Sequence, residues 1–251
     1  LNGSLIKKNS IEEYAKLTLR PKDMSLSNNK YSQVSGERMK TLVDQFLDLA
    51  SQEKSHFSSI NNTRKIPYGR HYLDEDDIES VIDVLRSGNL TQGTKVTDFE
   101  HEVAQYVGVK YAVSVSSGTA ALHLAALVAG VGPGNSIVTS PITFIASANV
   151  ALYTGGKVIF SDIDSQSINM SPESLRQTIK ENDNIRAIIP VHFAGLPCDM
   201  LSIKLEADKV DAIVIEDAAH AFGAKYPDDK RVGCCASSHM TIFSFHPVKS
   251  I

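Results

Sequence analysis

Ile213-Val214-Ile215-Glu216-Asp217-Ala218-Ala219-His220 decides how this chain is read. Apolar residues run straight into two acids, then into small residues. A short run of this kind, from Ala212 to Glu216, suits a strand buried on both faces, as in a parallel sheet. Ligands of such sheets collect at the carboxyl ends of the strands, where these acids fall. Working outward, the grammar repeats. Ile185 to Val191 is another fully apolar strand, and Met240 to Phe245 is the last one. Upstream, Tyr111 to Val115, Ile137 to Ser140 and Lys157 to Asp162 read as strands. Helices separate them. One opens at Leu73-Asp74-Glu75-Asp76-Asp77, with acids favourable in its first turn, and ends at Gly88. Others span Lys95 to Val107, closed by Gly108, then Thr119 to Ala129 and Phe144 to Tyr153. A further helix runs from Ser171 to Glu181, with Ser171 as cap and Pro172 in the first turn. Strands alternating with helices mean an α/β layered domain with a mainly parallel sheet.

The 251 residues are 42% hydrophobic and 22% charged, with a formal net charge of -4. A sizeable core can be buried. No block of Lys and Arg stands out, which argues against a nucleic-acid or membrane-surface partner. No apolar run approaches the roughly 20 residues that span a bilayer. The first twenty residues lack the apolar core of a signal peptide. Cys198, Cys234 and Cys235 make no CxxC pair and no zinc spacing with His, so no metal site is expected. Sparse, unpaired thiols suit a reducing compartment, and a cytoplasmic location is expected.

Residues 1–65 differ from the rest, being rich in Ser, Asn and Lys. One amphipathic helix fits Gly36 to Gln52, with Met39, Leu42, Val43, Phe46, Leu47 and Ala50 on one face. Ser55 to Lys65 reads as a linker. The expected organisation is an N-terminal extension or linker at 1–65 and one α/β domain at 66–251. The chain starts at Leu1 and stops at Ile251, two residues past Lys249, so the front part of a longer protein is expected.

Four stretches carry chemistry. In Ser116-Ser117-Gly118-Thr119-Ala120-Ala121-Leu122 a strand gives way to small residues and a helix. The free N–H groups and dipole of a helix start bind phosphate, and Gly118 lets the backbone come close. Taken alone, such a start is commonly just a cap. In Ser140-Pro141-Ile142-Thr143-Phe144 an aromatic follows a strand and can stack on a flat ring; a lone Phe is more often core. The Glu216-Asp217 pair places a carboxylate where burial demands a positive partner, such as a protonated pyridine nitrogen, or a structural ion pair. Phe243-Ser244-Phe245-His246-Pro247-Val248-Lys249 sets a lysine after an apolar strand and a turn. A desolvated lysine gives up its proton more readily, which suits Schiff-base chemistry; an ordinary surface charge is the plain alternative.

From Ile66 to Ile251 the sequence resembles the DegT/DnrJ/EryC1/StrS family of sugar aminotransferases that use pyridoxal 5'-phosphate (PLP). The resemblance rests on Ile66-Pro67-Tyr68-Gly69, Leu73-Asp74-Glu75-Asp76-Asp77, Leu90-Thr91-Gln92-Gly93, Ser117-Gly118-Thr119-Ala120-Ala121-Leu122, Glu216-Asp217-Ala218-Ala219-His220-Ala221 and the Phe243 to Lys249 stretch. Within the family it is most similar to the enzymes that aminate UDP-4-keto-6-deoxy-N-acetylhexosamines on the route to pseudaminic acid. The resemblance implies an aspartate-aminotransferase-like fold (PLP fold type I), in which this chain is the large domain. The family's small C-terminal domain and the Gly-rich loop after the lysine are missing from it.

The resemblance also implies roles. Lys249 would hold the cofactor covalently and later carry a proton between carbons. Asp217 would bond the pyridine nitrogen, and His220 would lie near the ring hydroxyl. Phe144 would stack on the ring. Gly118, Thr119 and Ser244 would bind the phosphate. Thr91 would face the substrate. The implied partners are a nucleotide sugar, an amino-acid donor such as glutamate, and a second copy of the chain in a homodimer.

Three other readings compete. A sugar dehydratase of the same family would carry His in place of Lys249. An NAD-binding enzyme is suggested by Gly130-Val131-Gly132-Pro133-Gly134, but that run follows a helix and precedes a strand, the reverse of the dinucleotide motif. An inactive fragment of the aminotransferase is the third.

Overall fold

The structure is a computed structural model that describes residues 72–91 and 93–249. The expected helix at 36–52, the linker at 55–65, the boundary at 65/66, the Ile66–Gly69 stretch and Gln92 lie outside the described residues.

Helix α1 (Glu75–Ser87) begins as its acids require. Asp74 caps it, accepting from the Asp77 N–H while Asp77 reaches back to the Asp74 N–H, both at 3.1 Å. Gly88, at φ 77°, ends it. Helix α2 (Thr94–Val107) stops at Gly108, at φ 82°. Helix α3 (Gly118–Val128) starts where Ser117 accepts from the Ala120 N–H. The rest alternates: β1 (Ser136–Thr139), α4 (Ala146–Tyr153), β2 (Lys157–Phe160), α5 (Pro172–Glu181), β3 (Ile185–Ile189), a 3-10 turn (Phe193–Gly195), α6 (Met200–Asp208), β4 (Ile213–Asp217) and β5 (Met240–Ile242). Ser171 caps α5 and Pro172 opens it, as its sequence dictates. Among the described residues no helix is long and apolar enough to cross a membrane.

Among the described residues the five strands form one parallel sheet in the order β2-β1-β3-β4-β5. The two faces follow the two-residue period of a strand. Ile137, Ala187, Ile189 and Ile215 pack with Leu122, Ala126 and Val150 of α3 and α4. The alternate residues Val138, Ile188 and Val214 pack with Leu175 and Ile203 of α5 and α6. The result is three layers, helix–sheet–helix. Chain order reverses between β1 and β3, which opens a crevice at the carboxyl ends of the strands.

Two expectations are corrected. Tyr111 to Val115 forms no strand: Tyr111 and Val113 are 73% and 79% exposed, and no described strand lies alongside. The Ser114 N–H bonds Glu100 Oε1 of α2 instead, at 2.7 Å. β-propensity alone makes no ladder without a neighbour. The last strand ends at Ile242 instead of Phe245. Beyond it Phe243 and Phe245 turn their rings onto Phe222, with centroids 5.2 and 5.0 Å apart. Helix α6 went unanticipated; Asp199 caps it through the Ser202 N–H at 3.1 Å. The glycine run at 130–134 does lie between α3 and β1, which removes the dinucleotide reading.

Candidate active site

Asp217 is the last residue of β4 and is 5% exposed. Its strand is pinned on both sides, by the Asp217 N–H to the Pro190 carbonyl at 2.9 Å and by the His192 N–H to the Asp217 carbonyl at 3.0 Å. Its carboxylate accepts from the Ser147 hydroxyl at 2.5 Å and from the Ala219 N–H at 3.2 Å. No ion pair among the described residues joins it to a cation. A buried carboxylate with hydrogen bonds but no counter-charge is a costly arrangement that a cationic ligand would relieve.

Lys249 and His220 meet beside it. Lys249 Nζ lies 2.7 Å from His220 Nε2. Burial, and next the positive charge of Lys249, push His220 below the ordinary imidazole value, against the pull of Asp217. At neutral pH His220 is therefore uncharged, and its Nε2 accepts a hydrogen bond from Lys249 Nζ. The chain turns sharply under His220: Gly195 sits at φ 87°, and a Cβ there would meet the His220 carbonyl at 2.9 Å. Ala194 beside it also takes a positive φ, 51°. Asn169, buried, clamps this turn through the Phe193 N–H and the Leu196 carbonyl, both at 3.0 Å.

Ser117 uses its hydroxyl on the Ala120 N–H. Among the described residues the N–H groups of Gly118 and Thr119 have no partner, as expected at a helix start. Ser244 is their neighbour, its Cβ 3.5 Å from where a Cβ on Gly118 would stand. Phe144 is 71% exposed on the turn before α4, and its carbonyl takes the Ser147 N–H at 3.2 Å. Thr91 stays exposed in the bend between α1 and α2, and no contact joins it to the others.

The structure thus draws Asp217, His220, Lys249, Gly118, Thr119 and Ser244 to the carboxyl ends of β4 and β5, with Phe144 at the neighbouring β1–α4 turn. These groups fit PLP. Free helix N–H groups and a hydroxyl suit a phosphate, an unpaired buried carboxylate suits a pyridinium, and an exposed ring suits a flat heterocycle.

Three features of the site were not singled out from the sequence. One is Ser147, whose only signal is a polar residue within the apolar stretch of α4. A second is Gly195. The third is the cluster behind Glu216. Glu216, 1% exposed, faces away from Asp217 and accepts from His192 Nε2 at 2.7 Å, Ser238 at 2.5 Å, Thr241 at 2.9 Å, and the Tyr226 hydroxyl. Burial opposes its ionisation, yet the bonds from His192, Ser238 and Tyr226 hold it below the usual carboxylate range. His192 Nδ1 accepts the Cys198 N–H at 3.0 Å, so the ring proton sits on Nε2 and is given to Glu216.

Residues 71–251 match the DegT/DnrJ/EryC1/StrS aminotransferase family. The chain is 38% identical over 200 residues to the spore coat polysaccharide biosynthesis protein SpsC of Bacillus subtilis (strain 168), covering 80% of this chain and 48% of that one. Among solved structures it is similar to the putative sugar aminotransferase Spr1654 of Streptococcus pneumoniae in its PLP form. There the TM-score is 0.69 and the identity 31%, over 73% of this chain and 50% of that one. Helicobacter pylori PseC, an aminotransferase involved in the biosynthesis of pseudoaminic acid, gives a TM-score of 0.68 and 31% identity, over 75% and 50% of the two chains. The chain spans about half the length of these relatives. The match over residues 71–251, with these identities, shows that the chain belongs to the DegT/DnrJ/EryC1/StrS aminotransferase family.

Proposed function

We propose that this chain is the cofactor-holding part of a PLP-dependent enzyme that moves an amino group from an amino acid to a keto sugar nucleotide. The observation that carries it is buried Asp217, joined by no ion pair to a cation among the described residues, at the same sheet end as Lys249 and the start of α3. The cofactor supplies an electron sink that makes the transfer possible.

The chain's own groups do the rest. Gly118, Thr119 and Ser244 would hold the phosphate, and Asp217 would face the ring nitrogen. Phe144 would stack on the ring. Lys249 would anchor the group, and its Nζ would then carry a proton. His220, uncharged, accepts a hydrogen bond at Nε2 and stays close to the lysine without adding charge to the site. Nitrogen balance is simple: amino acid plus ketone gives keto acid plus amine.

The substrate we favour is a UDP-4-keto-6-deoxy-N-acetylhexosamine, on the likeness to PseC. Thr91 would face that sugar. A lysine at position 249 favours transamination over dehydration. The working form is a homodimer: Ile78, Val81 and Leu85 of α1 are 46%, 61% and 62% exposed, an apolar stripe that a second copy would cover.

The test is nitrogen transfer by the full protein, with 15N-labelled glutamate and the keto sugar nucleotide. The expected result is 15N in the sugar amine and formation of 2-oxoglutarate. A protein that binds PLP but transfers no nitrogen to any 4-keto sugar nucleotide would overturn the reading.

A further inference from the structure

We infer that Ser147 and Thr143 are positioning residues that fix the Asp217 carboxylate in the orientation that would meet the cofactor's ring nitrogen. The inference rests on the reading of Asp217 given above. Ser147, in the first turn of α4, is fully buried, a position where a hydroxyl needs a partner. Its oxygen lies 2.5 Å from Asp217 Oδ2 and 2.9 Å from the Thr143 hydroxyl.

The direction of this chain follows from donor counting. An ionised carboxylate only accepts, so Ser147 directs its single proton to Asp217. Its oxygen is then left to accept, and Thr143 supplies the proton. The Phe144 carbonyl competes for that same proton at the longer distance of 3.2 Å. The Ala219 N–H occupies Asp217 Oδ1. Among the described residues the donors that reach the carboxylate thus hold both of its oxygens in place, Ser147 at Oδ2 and the Ala219 N–H at Oδ1.

The geometry has a second effect. Thr143 precedes Phe144, so the same chain of hydroxyls ties the turn carrying the ring-stacking aromatic to the strand end carrying the acid. The ring would thus be gripped at its nitrogen and over its face by one connected unit.

The experiment uses the full protein with PLP labelled with 15N at the ring nitrogen. The ring-nitrogen chemical shift, PLP affinity and apo-protein unfolding are measured for wild type, Ser147→Ala, Thr143→Val and Asp217→Ala. Thr143 is half-buried and Val keeps its shape, so that variant folds even if Ser147→Ala does not. Expected for Ser147→Ala is PLP affinity weakened roughly tenfold or more, the scale of a lost bond to a charged group. Its ring-nitrogen signal should move toward neutral pyridine. Thr143→Val should shift both in the same direction by less, with apo stability near wild type. If Asp217→Ala changes signal and affinity while Ser147→Ala and Thr143→Val match wild type, the inference is overturned and the Asp217 reading stands. If Asp217→Ala also matches wild type, the reading beneath it falls as well.

Discussion

Glu216→Gln should destabilise the fold by about 2–4 kcal/mol. Four donors converge on this carboxylate, two on each oxygen: Ser238 and Thr241 on Oε1, His192 and Tyr226 on Oε2. An amide offers one accepting oxygen and one donating NH2. Hydroxyls can rotate and accept, but the His192 ring cannot easily reverse, because its Nδ1 already takes the Cys198 N–H. The amide oxygen must therefore face His192 and Tyr226, and the NH2 must face Ser238 and Thr241, both of which have to turn round. All four bonds also lose charge assistance. Bonds to charged groups contribute about 1.5–3 kcal/mol and neutral ones about 0.5–1.5, so the deficit is about 1 kcal/mol a bond. Relief from burying a charge returns part of the sum. The assay is urea unfolding at pH 7.5 with Glu216→Gln against wild type. A change within about 0.5 kcal/mol, inside the usual range for surface substitutions, would refute the reasoning.

Three further outcomes are expected. His220 is held below its ordinary value of 6.5, so the unfolded chain takes up this proton first as pH falls. Its share of stability is present above 6.5 and is lost on acidification toward the lower folded value; wild type should lose more stability between pH 7.5 and 5.5 than His220→Gln, and equal losses would contradict this. Burial, then the charge of Glu216, pushes the Cys198 thiol up to about 12, while Cys234 and Cys235 are partly exposed. A thiol reagent at pH 8 should modify Cys234 and Cys235 well before Cys198, and equal rates by peptide mapping would count against the buried placement. Gly195→Ala should cost at least about 1–2 kcal/mol for its positive φ, with the collision on the His220 carbonyl added, and should loosen PLP binding; wild-type unfolding would contradict the turn geometry.

What the sequence disclosed follows the physics of local signals. The strand-end acids, the helix starts at Asp74, Ser117 and Ser171, and the stops at Gly88 and Gly108 are each written in a few adjacent residues. Hidden features depend on partners far along the chain. Ser147 meets Asp217 across 70 residues, and His192 meets Glu216 across 24. The failed strand at 111–115 shows the same limit, since its residues favour extension but its ladder needs a neighbour. Helix α6 was missed because Met200-Leu201-Ser202-Ile203-Lys204-Leu205 is apolar on several sides, and Leu201 and Leu205 remain 73% and 66% exposed. Nothing in that pattern marks one face.

The most direct test of the account is covalent: add PLP to the full protein, reduce with borohydride, and map the labelled peptide. The account predicts one label, on Lys249, lost in Lys249→Ala. A folded protein that takes no label, or that carries it on another lysine, would contradict the assignment of this site.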